Sequence, residues 1–287
     1  MTLRVVTADD AARRDAAAIA AGIPSRALMQ RAGVAAAHEI ARRYGDRLTD
    51  GVAVYAGPGN NGGDAWVVAA TLAAAGVAVN VRTVGEPRTD DARAERDHAL
   101  ASCDVGQVRG GERIVVDGVL GTGARGTPRG EIATLLEAMR AQQTAGAALV
   151  ALDVPSGLDA TTGDDAHAIV ADLTITFGTV KRGLLLARGA AGEIVVIDIG
   201  LGAHNDLDDG AATLVQGADA RRAAPPFAGD VHKGARGRIG FVGGGEGLAG
   251  ATVLAASAAQ RSGSGMTRLI VEDVSLPAVQ AASVTST

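Results

Sequence analysis

The sequence predicts a three-layer α/β/α fold of the Rossmann-like kind, built around a parallel sheet. Over roughly the first 200 residues, short apolar runs alternate with segments of helical length, which is the rhythm of a doubly wound sheet. The runs are nearly continuous, as expected for strands that helices cover on both faces. Hydrophobic residues make up 47% of the chain and aromatic residues only 2%, so the core consists of small and branched aliphatic side chains.

The composition also limits the partners of the chain. The net charge of −5 and the scarcity of aromatic residues argue against a nucleic acid, because there is no basic excess and no stacking surface. The one cysteine, Cys103, permits no intramolecular disulfide, and we interpret it as a half-buried thiol in preference to a nucleophile. No apolar run approaches the ~18 residues of a membrane span, and charged residues occupy the region where a signal peptide needs an apolar core. We therefore expect a cytoplasmic protein with no nucleic-acid or membrane partner.

The N-terminal region predicts two helices. Thr7 is a suitable cap for an alanine-rich first helix, which the sequence Gly22-Ile23-Pro24-Ser25 interrupts. A second helix is expected over residues 25–44, since apolar residues recur on one of its faces. A role in covering the core is sufficient to explain both helices.

The central segment predicts a strand, a glycine-rich turn and a helix. Residues 52–56 are apolar, residues 57–64 read GPGNNGGD, and a helix is expected from Ala65. Glycines let the backbone approach a ligand closely, and a helix N-terminus offers unpaired N–H groups, which suits a phosphate or pyrophosphate. Asn60, Asn61 and Asp64 add groups that can hold a cation or ribose hydroxyls. The segment is neither a Walker loop nor GxGxxG, which disfavours a dinucleotide dehydrogenase.

The rest of the first 200 residues continues the alternation. Strands are expected over residues 77–83, 114–116, 149–152, 173–178 and 193–197, and helices over residues 85–101 and 129–142. Because the carboxyl ends of parallel strands share one edge of a sheet, three polar clusters should meet there. These clusters are Asn60/Asn61/Asp64, Asp117, and Asp153/Ser156. One acid at a strand end is often only a turn former, but three in register favour a functional site.

Lys181 follows the next predicted strand, and its role is open. It could balance the acidic residues, contact a phosphate, or lie on the surface.

Six phrases in the order GIPSRALMQRAG, GPGNNGGD, VDGVLGTGARG, DVPSGLDATTG, TITFGTVKRG and VIDIGLG carry a resemblance to a known family. Over residues 1 to about 205, the chain resembles the YjeF N-terminal family of nucleotide-repair epimerases. The resemblance implies an isomerase that interconverts the R and S forms of hydrated NADH and NADPH at the hydroxylated ring carbon. It also implies a homo-oligomer, dimeric or larger. Two departures, Ala65 for a glycine and Thr161 for an aspartate, leave the implied activity unchanged.

Matched residue by residue, the resemblance implies a set of site residues. The substrate contacts would be Asn60, Asn61, Gly62, Gly63, Asp64, Gly121, Thr122, Gly123, Ala124, Arg125, Gly126, Thr127 and Asp153. A monovalent cation, expected to be potassium, would be held by Asn61, Asp117 and Ser156.

The reaction itself calls for a carboxylate. The hydroxyl beside the ring nitrogen can leave with help from the nitrogen lone pair, and water then returns on the opposite face, so a carboxylate is needed to shuttle the proton. Asp117 is the candidate for this catalytic role, and a role purely as a cation ligand is the alternative.

The last part of the chain predicts a second piece. We expect a domain over residues 1–210, a linker over 211–230 that contains a short strand at 213–216, and a further segment over 231–287. This segment has the pattern strand, glycine loop, helix, strand, and it resembles the opening of the ribokinase-like, ADP- or ATP-dependent dehydratase domain that is often fused to the epimerase. His232 is expected to be a loop residue and not a metal ligand.

The dehydratase domain would be incomplete here. The segment ends before that domain's later nucleotide loop and catalytic aspartate, and ~55 residues of an open sheet bury little surface. We therefore expect a fragment of a longer bifunctional protein, with dehydratase activity, and a need for ADP or ATP, only in the full-length chain.

Two other functions fit the same residues. One is a non-catalytic nucleotide-binding module that uses the same pocket, and the other is a nucleotide-dependent kinase or dehydratase. The presence of Asp117, Asp153 and Ser156 favours the epimerase over the first, and the incomplete second segment argues against the second.

Overall fold

The computed structural model describes residues 3–105, 110–207, 210–224 and 231–282. The chain divides into two compact units, the first unit Met1–Val215 and the second unit Gln216–Thr287. Within the described residues, no helix has the length and apolar character that crossing a bilayer requires.

The first unit alternates strands and helices. Its strands are β1 (Leu3–Val6), β2 (Val52–Ala56), β3 (Val79–Thr83), β4 (Asp104–Val105), β5 (Ile114–Gly118), β6 (Ala148–Leu152), β7 (Leu173–Phe177), β8 (Val180–Lys181), β9 (Glu193–Ile197) and β10 (Ala212–Leu214). Its helices are α1 (Ala8–Ala20), α2 (Ser25–Tyr44), α3 (Asn60–Ala74), α4 (Asp90–Ala99), α5 (Glu131–Thr144), α6 (Arg182–Leu186) and α7 (Arg188–Ala191).

The main sheet has seven strands in the order β4-β3-β2-β5-β6-β7-β9, and all neighbouring strands are parallel. Alternate residues of β2 face opposite layers, since Val54 belongs to a core with Trp66 of α3, and Tyr55 to a core with Met139 of α5. The predicted three-layer fold is therefore confirmed. The winding direction reverses between β2 and β5, so their carboxyl ends form a topological switch point, where ligands bind in sheets of this kind.

A second, three-stranded sheet was not predicted. Strand β1 pairs parallel with β8 and antiparallel with β10, with Leu3 opposite Leu214. The prediction placed the short strand at residues 213–216 inside a linker, whereas β10 belongs to the first unit because β1 provides its pairing partner. Residues 225–230 of the predicted linker lie outside the described residues.

Helix α3 begins at Asn60, so the prediction of an irregular turn up to Asp64 is wrong. The glycines of this segment serve close packing instead of breaking the helix. A Cβ atom at Gly62 would lie 1.8 Å from the carbonyl oxygen of Gly57, and one at Gly63 would lie 2.5 Å from the Met29 side chain. Only residues without a side chain let the first turn of α3 sit this close to its neighbours.

The other predicted elements are present, α2 and β9 with the predicted ends and others with shifted ends. The strand expected from residue 77 begins at Val79, because Val77 still donates to Leu72 at the end of α3. The helix expected over residues 85–101 is limited to α4. Thr89 is the N-cap of this helix, and its hydroxyl accepts a hydrogen bond from the N–H of Ala92.

The second unit contains α8 (Gly217–Ala223), β11 (Arg238–Val242), α9 (Ala249–Arg261), β12 (Met266–Ile270) and α10 (Leu276–Ala282). Strands β11 and β12 pair in parallel, in register from Arg238 opposite Met266. The predicted pattern of strand, glycine loop, helix and strand is thus present.

Candidate functional site

A cavity of about 550 Å³ lies at the switch point of the main sheet. Several of the residues predicted to contact a substrate line it, namely Asn60, Asn61, Asp64, Gly121, Thr122, Gly123, Ala124 and Asp153. Other predicted residues are absent from its lining, namely Gly62, Gly63, Arg125, Gly126, Thr127, Asp117 and Ser156. The guanidinium of Arg125 instead donates to the carbonyl oxygens of Thr122 and Ala124.

The N-terminus of α3 forms one wall of this cavity. Its N-cap residue, Gly59, has no side chain to cap the helix, and Pro58, Gly59 and Asn60 all line the cavity. The close packing of Gly62 on Gly57 holds this helix end against the loop after β2. The cavity wall therefore presents the positive end of a helix dipole, with N–H groups available to an anionic ligand.

Asn61 has one half of its amide unpaired. Its Nδ2 atom donates to the carbonyl oxygen of Leu120 at 2.8 Å, and the side chain is only 8% exposed. Its Oδ1 atom is buried and has no partner among the described residues. A buried acceptor without a donor is unusual and points to a missing partner such as a cation.

Asp117 lies fully buried beneath the cavity. Its Oδ1 atom accepts from the N–H of Val119 at 3.1 Å and from the hydroxyl of Ser156 at 2.6 Å, and its Oδ2 atom accepts from the N–H of Ser156 at 2.8 Å. Burial raises the pKa of Asp117 to about 6, while the hydrogen bonds from Ser156 and Val119 act in the opposite direction.

The three predicted cation ligands are connected through Leu120. Its carbonyl oxygen accepts from Asn61, and its N–H donates to the Ser156 hydroxyl at 2.8 Å. The ligand atoms are oxygens from a single carboxylate, an amide and a hydroxyl, and no group of three or more His, Cys, Asp or Glu residues that could hold a metal ion occurs in the described part of the chain. Such hard, weakly charged oxygen ligands fit a monovalent cation better than a transition metal.

Asp153 follows β6 and is held by Lys181 of β8. It has a φ of +61°, the one positive φ of a non-glycine residue among the described residues. The Lys181 ammonium donates to Asp153 Oδ1, to Thr176 Oγ1 at 3.1 Å and to the carbonyl oxygen of Phe177 at 2.9 Å. Lys181 is only 3% exposed, so the alternative of a surface lysine is wrong. Strained backbone of this kind is concentrated at functional sites.

Two further carboxyl groups line the cavity. Burial raises the pKa of Asp64 well above its usual range, and the charges of Asp153 and Asp15 act in the same direction. Desolvation in the concave wall also raises the pKa of Asp15, although this side chain remains exposed to the cavity. Lys181 lowers both values.

Asp15 was not predicted as a site residue. The sequence contained a signal, since Asp15 stands four residues after Ala11 and three before Ala18, which places it on the side of α1 that carries these buried alanines. Arg88 and Asp91, before and within α4, also line the cavity and were not predicted.

The arrangement combines two chemical capabilities. The uncapped end of α3 suits a phosphate, and the carboxyl groups of Asp15, Asp64 and Asp153 suit a developing positive charge and a proton transfer.

Comparison with known proteins gives consistent matches. The sequence profile of the family described as YjeF-related protein N-terminus matches residues 25–183. The bifunctional NAD(P)H-hydrate repair enzyme Nnr of Hyperthermus butylicus is 37% identical over 278 residues, which cover 91% of this chain and 49% of the relative. The protein of that name from Escherichia coli is 34% identical over 278 residues, covering 92% of this chain and 52% of the relative. The chain thus spans about half the length of these curated relatives.

A solved structure supports the fold. The crystal structure of the yeast protein YNL200c matches with a TM-score of 0.60 at 23% identity, covering 68% of this chain and 88% of the yeast chain.

Proposed function

The chain belongs to the family of YjeF-related protein N-terminal domains, and from this premise we propose that its first unit is an NAD(P)H-hydrate epimerase. It interconverts the R and S forms of hydrated NADH and NADPH at the ring carbon that carries the hydroxyl. The observation that carries the proposal is the cavity at the switch point, which the uncapped end of α3 lines together with the carboxyl groups of Asp15, Asp64 and Asp153.

The chemistry matches these groups. In the substrate the hydroxyl sits on the carbon beside the ring nitrogen, so its departure as water gives a cation shared between that carbon and the nitrogen. Water that adds to the opposite face yields the other epimer. Carboxylates next to the ring stabilise the cation and move the protons, and the α3 N-terminus binds the pyrophosphate.

The substrate contacts come from two segments of backbone and from Asp153. Asn60 and Asn61 in the first turn of α3, Asp64 just after that turn, and the loop from Gly121 to Ala124 face the ligand directly. Gly62 and Gly63 act through the packing of α3, and the segment from Arg125 to Thr127 completes the loop behind the lining residues.

Asp117 serves as a cation ligand in this proposal. Its oxygens already accept three hydrogen bonds, and it does not line the cavity, which favours this alternative over acid–base catalysis. A potassium ion would be held by Asn61, Asp117 and Ser156, and the unpaired Oδ1 atom of Asn61 supports this. When bound, the ion supplies a fixed positive charge that holds these loops and strengthens phosphate binding.

We expect the S epimer to be passed to an ADP- or ATP-dependent dehydratase. The relatives are named bifunctional repair enzymes and are about twice as long as this chain, which is consistent with a second activity. A cytoplasmic homo-oligomer remains our expectation.

The test is to separate R and S hydrated NADH by chromatography and to follow their interconversion with and without the protein. Acceleration over the spontaneous rate, lost in Asp153→Asn and kept in Asp165→Asn, supports the proposal. Asp165 is a suitable control because its carboxylate is exposed and lies outside the cavity. Ligand binding without acceleration would support a non-catalytic binding module instead.

A further inference from the structure

Two carboxyl groups of the cavity have opposite surroundings. Asp153 Oδ1 receives the Lys181 ammonium, the Thr176 hydroxyl at 3.1 Å and the N–H of Phe177 at 3.4 Å. No described residue donates a hydrogen bond to the Asp64 carboxyl. A carboxyl oxygen that accepts several hydrogen bonds is held as an acceptor, whereas a desolvated carboxyl group without donors favours the protonated form, which can donate.

We infer that Asp64 and Asp153 divide the proton transfer, with Asp64 as the acid and Asp153 as the base in one direction and with these roles exchanged in the reverse direction, and that Lys181 is the positioning residue that gives the two groups different surroundings. The inference rests on the proposed function. It goes beyond the proposed function by assigning separate proton-transfer roles to Asp64 and Asp153 and by explaining why Lys181 is buried beside Asp153.

The proton balance closes over one turnover. The Asp64 proton passes to the hydroxyl oxygen of the substrate, the C–O bond breaks, water leaves, and the nitrogen lone pair forms the C=N bond. Water then adds to the opposite face of that carbon, the C=N electron pair returns to nitrogen, and the released proton passes to Asp153. The two carboxyl groups regain their starting states by proton exchange with water in the cavity. In the reverse direction the same steps run backwards, so Asp153 gives the proton and Asp64 receives it.

Lys181 suits a positioning role because of where it is anchored. It belongs to the small sheet through β8, while Thr176 and Phe177 stand at the end of β7 in the main sheet. Its ammonium uses all three donors on Asp153, Thr176 and Phe177. These contacts fix Asp153 in its left-handed backbone conformation. The Asp153 side chain is 16% exposed, at the cavity, and no described residue donates a hydrogen bond to its Oδ2 atom.

Other charges face the same space and enter the titration. The charged residues that line the cavity are Asp15 from α1, Asp64 from α3, Arg88 and Asp91 at α4, Asp153 after β6, and Lys181 from β8. The charges of Asp153 and Asp15 raise the pKa of Asp64, in addition to the larger effect of burial. The acid is therefore expected to stay protonated further toward neutral pH than an ordinary carboxyl group.

The experiment is the pH profile of kcat/KM for epimer interconversion by the full chain. We expect a bell, with the low-pH limb set by Asp153 and the high-pH limb by Asp64. Asp64→Asn should lower kcat by about 10²–10⁴-fold and remove the high-pH limb, and Asp153→Asn should lower it similarly and remove the low-pH limb. The exposed control Asp165→Asn should leave the profile unchanged.

The Lys181 variant separates positioning from structure. In Lys181→Met the low-pH limb should move to higher pH, because Asp153 Oδ1 loses its ammonium donor. If this variant does not fold, Thr176→Val removes one neutral donor from Asp153 and should move the same limb in the same direction by less. An unmoved low-pH limb in an active variant, or a full bell in Asp64→Asn, would overturn the inference. Failure of the wild-type chain to accelerate interconversion would overturn the proposed function instead.

Discussion

Ser156 occupies both oxygens of Asp117, with its hydroxyl 2.6 Å from Oδ1 and its N–H 2.8 Å from Oδ2. The hydroxyl also accepts from the N–H of Leu120, so the loops after β5 and β6 are joined at this point. This arrangement makes Asp117 part of the floor beneath the cavity. In the proposed reaction, the carboxyl groups that line the cavity transfer the protons.

Potassium is expected to stabilise the folded protein. We expect the thermal unfolding midpoint to be higher in KCl than in choline chloride of equal ionic strength, by an amount corresponding to about 1.4 kcal/mol at ten times the Kd. The difference should vanish in Asn61→Ala, which removes the unpaired Oδ1 atom. It should persist in Thr49→Ala, which removes only an exposed hydroxyl. Equal midpoints of the wild type in the two salts would contradict the cation site.

Gly62→Ala is expected to destabilise the first unit. The added Cβ would lie 1.8 Å from the Gly57 carbonyl oxygen, so α3 must shift, at a cost of about 1–3 kcal/mol or more. Gly189→Ala is the matched control, because its Cβ meets nothing within 4 Å and its position in α7 favours alanine. Urea unfolding measures both changes. Equal stabilities of the two variants would show that the first turn of α3 is not tightly packed on this loop.

Glu39 makes stability depend on pH. Hydrogen bonds from Arg42, and then from Arg43, lower the pKa of Glu39 from its usual 4.5 to about 2. A lowered pKa in the folded state contributes stability above pH 4.5, and this stability is lost as the pH falls toward 2. Because Arg42 is largely exposed, solvent screens its interaction with Glu39, and we expect Glu39 to contribute about 1 kcal/mol to the free energy of unfolding.

The test compares urea midpoints of Glu39→Gln and of the wild type between neutral and acid pH. We expect Glu39→Gln to be less stable at pH 7 and the difference to shrink as the pH falls below 4.5. Glu137→Gln, at an exposed position, should match the wild type throughout. If the stability difference between the wild type and Glu39→Gln grew as the pH fell, the prediction would be contradicted.

The order of the main elements could be predicted because it depends on local patterns. Apolar runs at strand length and amphipathic segments are present in the sequence itself, and they fix the layers of the sheet. The pairing of β1 with β8 and β10 could not be predicted, since it joins residues more than 170 positions apart. The early start of α3 was missed because the local preference of Gly62 and Gly63 for irregular backbone is overridden by their packing.

The part of the site that depends on local sequence could be predicted, and the part that depends on distant contacts could not. Asp117 lies near the carboxyl end of β5, Asp153 directly follows β6, and Asp64 lies in the helix that follows β2, so the parallel sheet brings all three to one edge. Asp15 lies on a distant helix, and the burial of Lys181 depends on the small sheet, so neither position follows from local sequence. The difference between a carboxyl group that lines the cavity and one beneath it is likewise a property of the folded chain.

The most direct measurement of the central claim follows both stereochemistry and oxygen exchange. Separated epimers of hydrated NADH are incubated with the protein in ¹⁸O-labelled water, and each epimer is analysed by chromatography and mass spectrometry. The account predicts that the protein accelerates interconversion and that the new epimer acquires the ¹⁸O label at the same accelerated rate, because the hydroxyl leaves and solvent water replaces it. Interconversion no faster than the spontaneous rate, or accelerated interconversion without label, would contradict it.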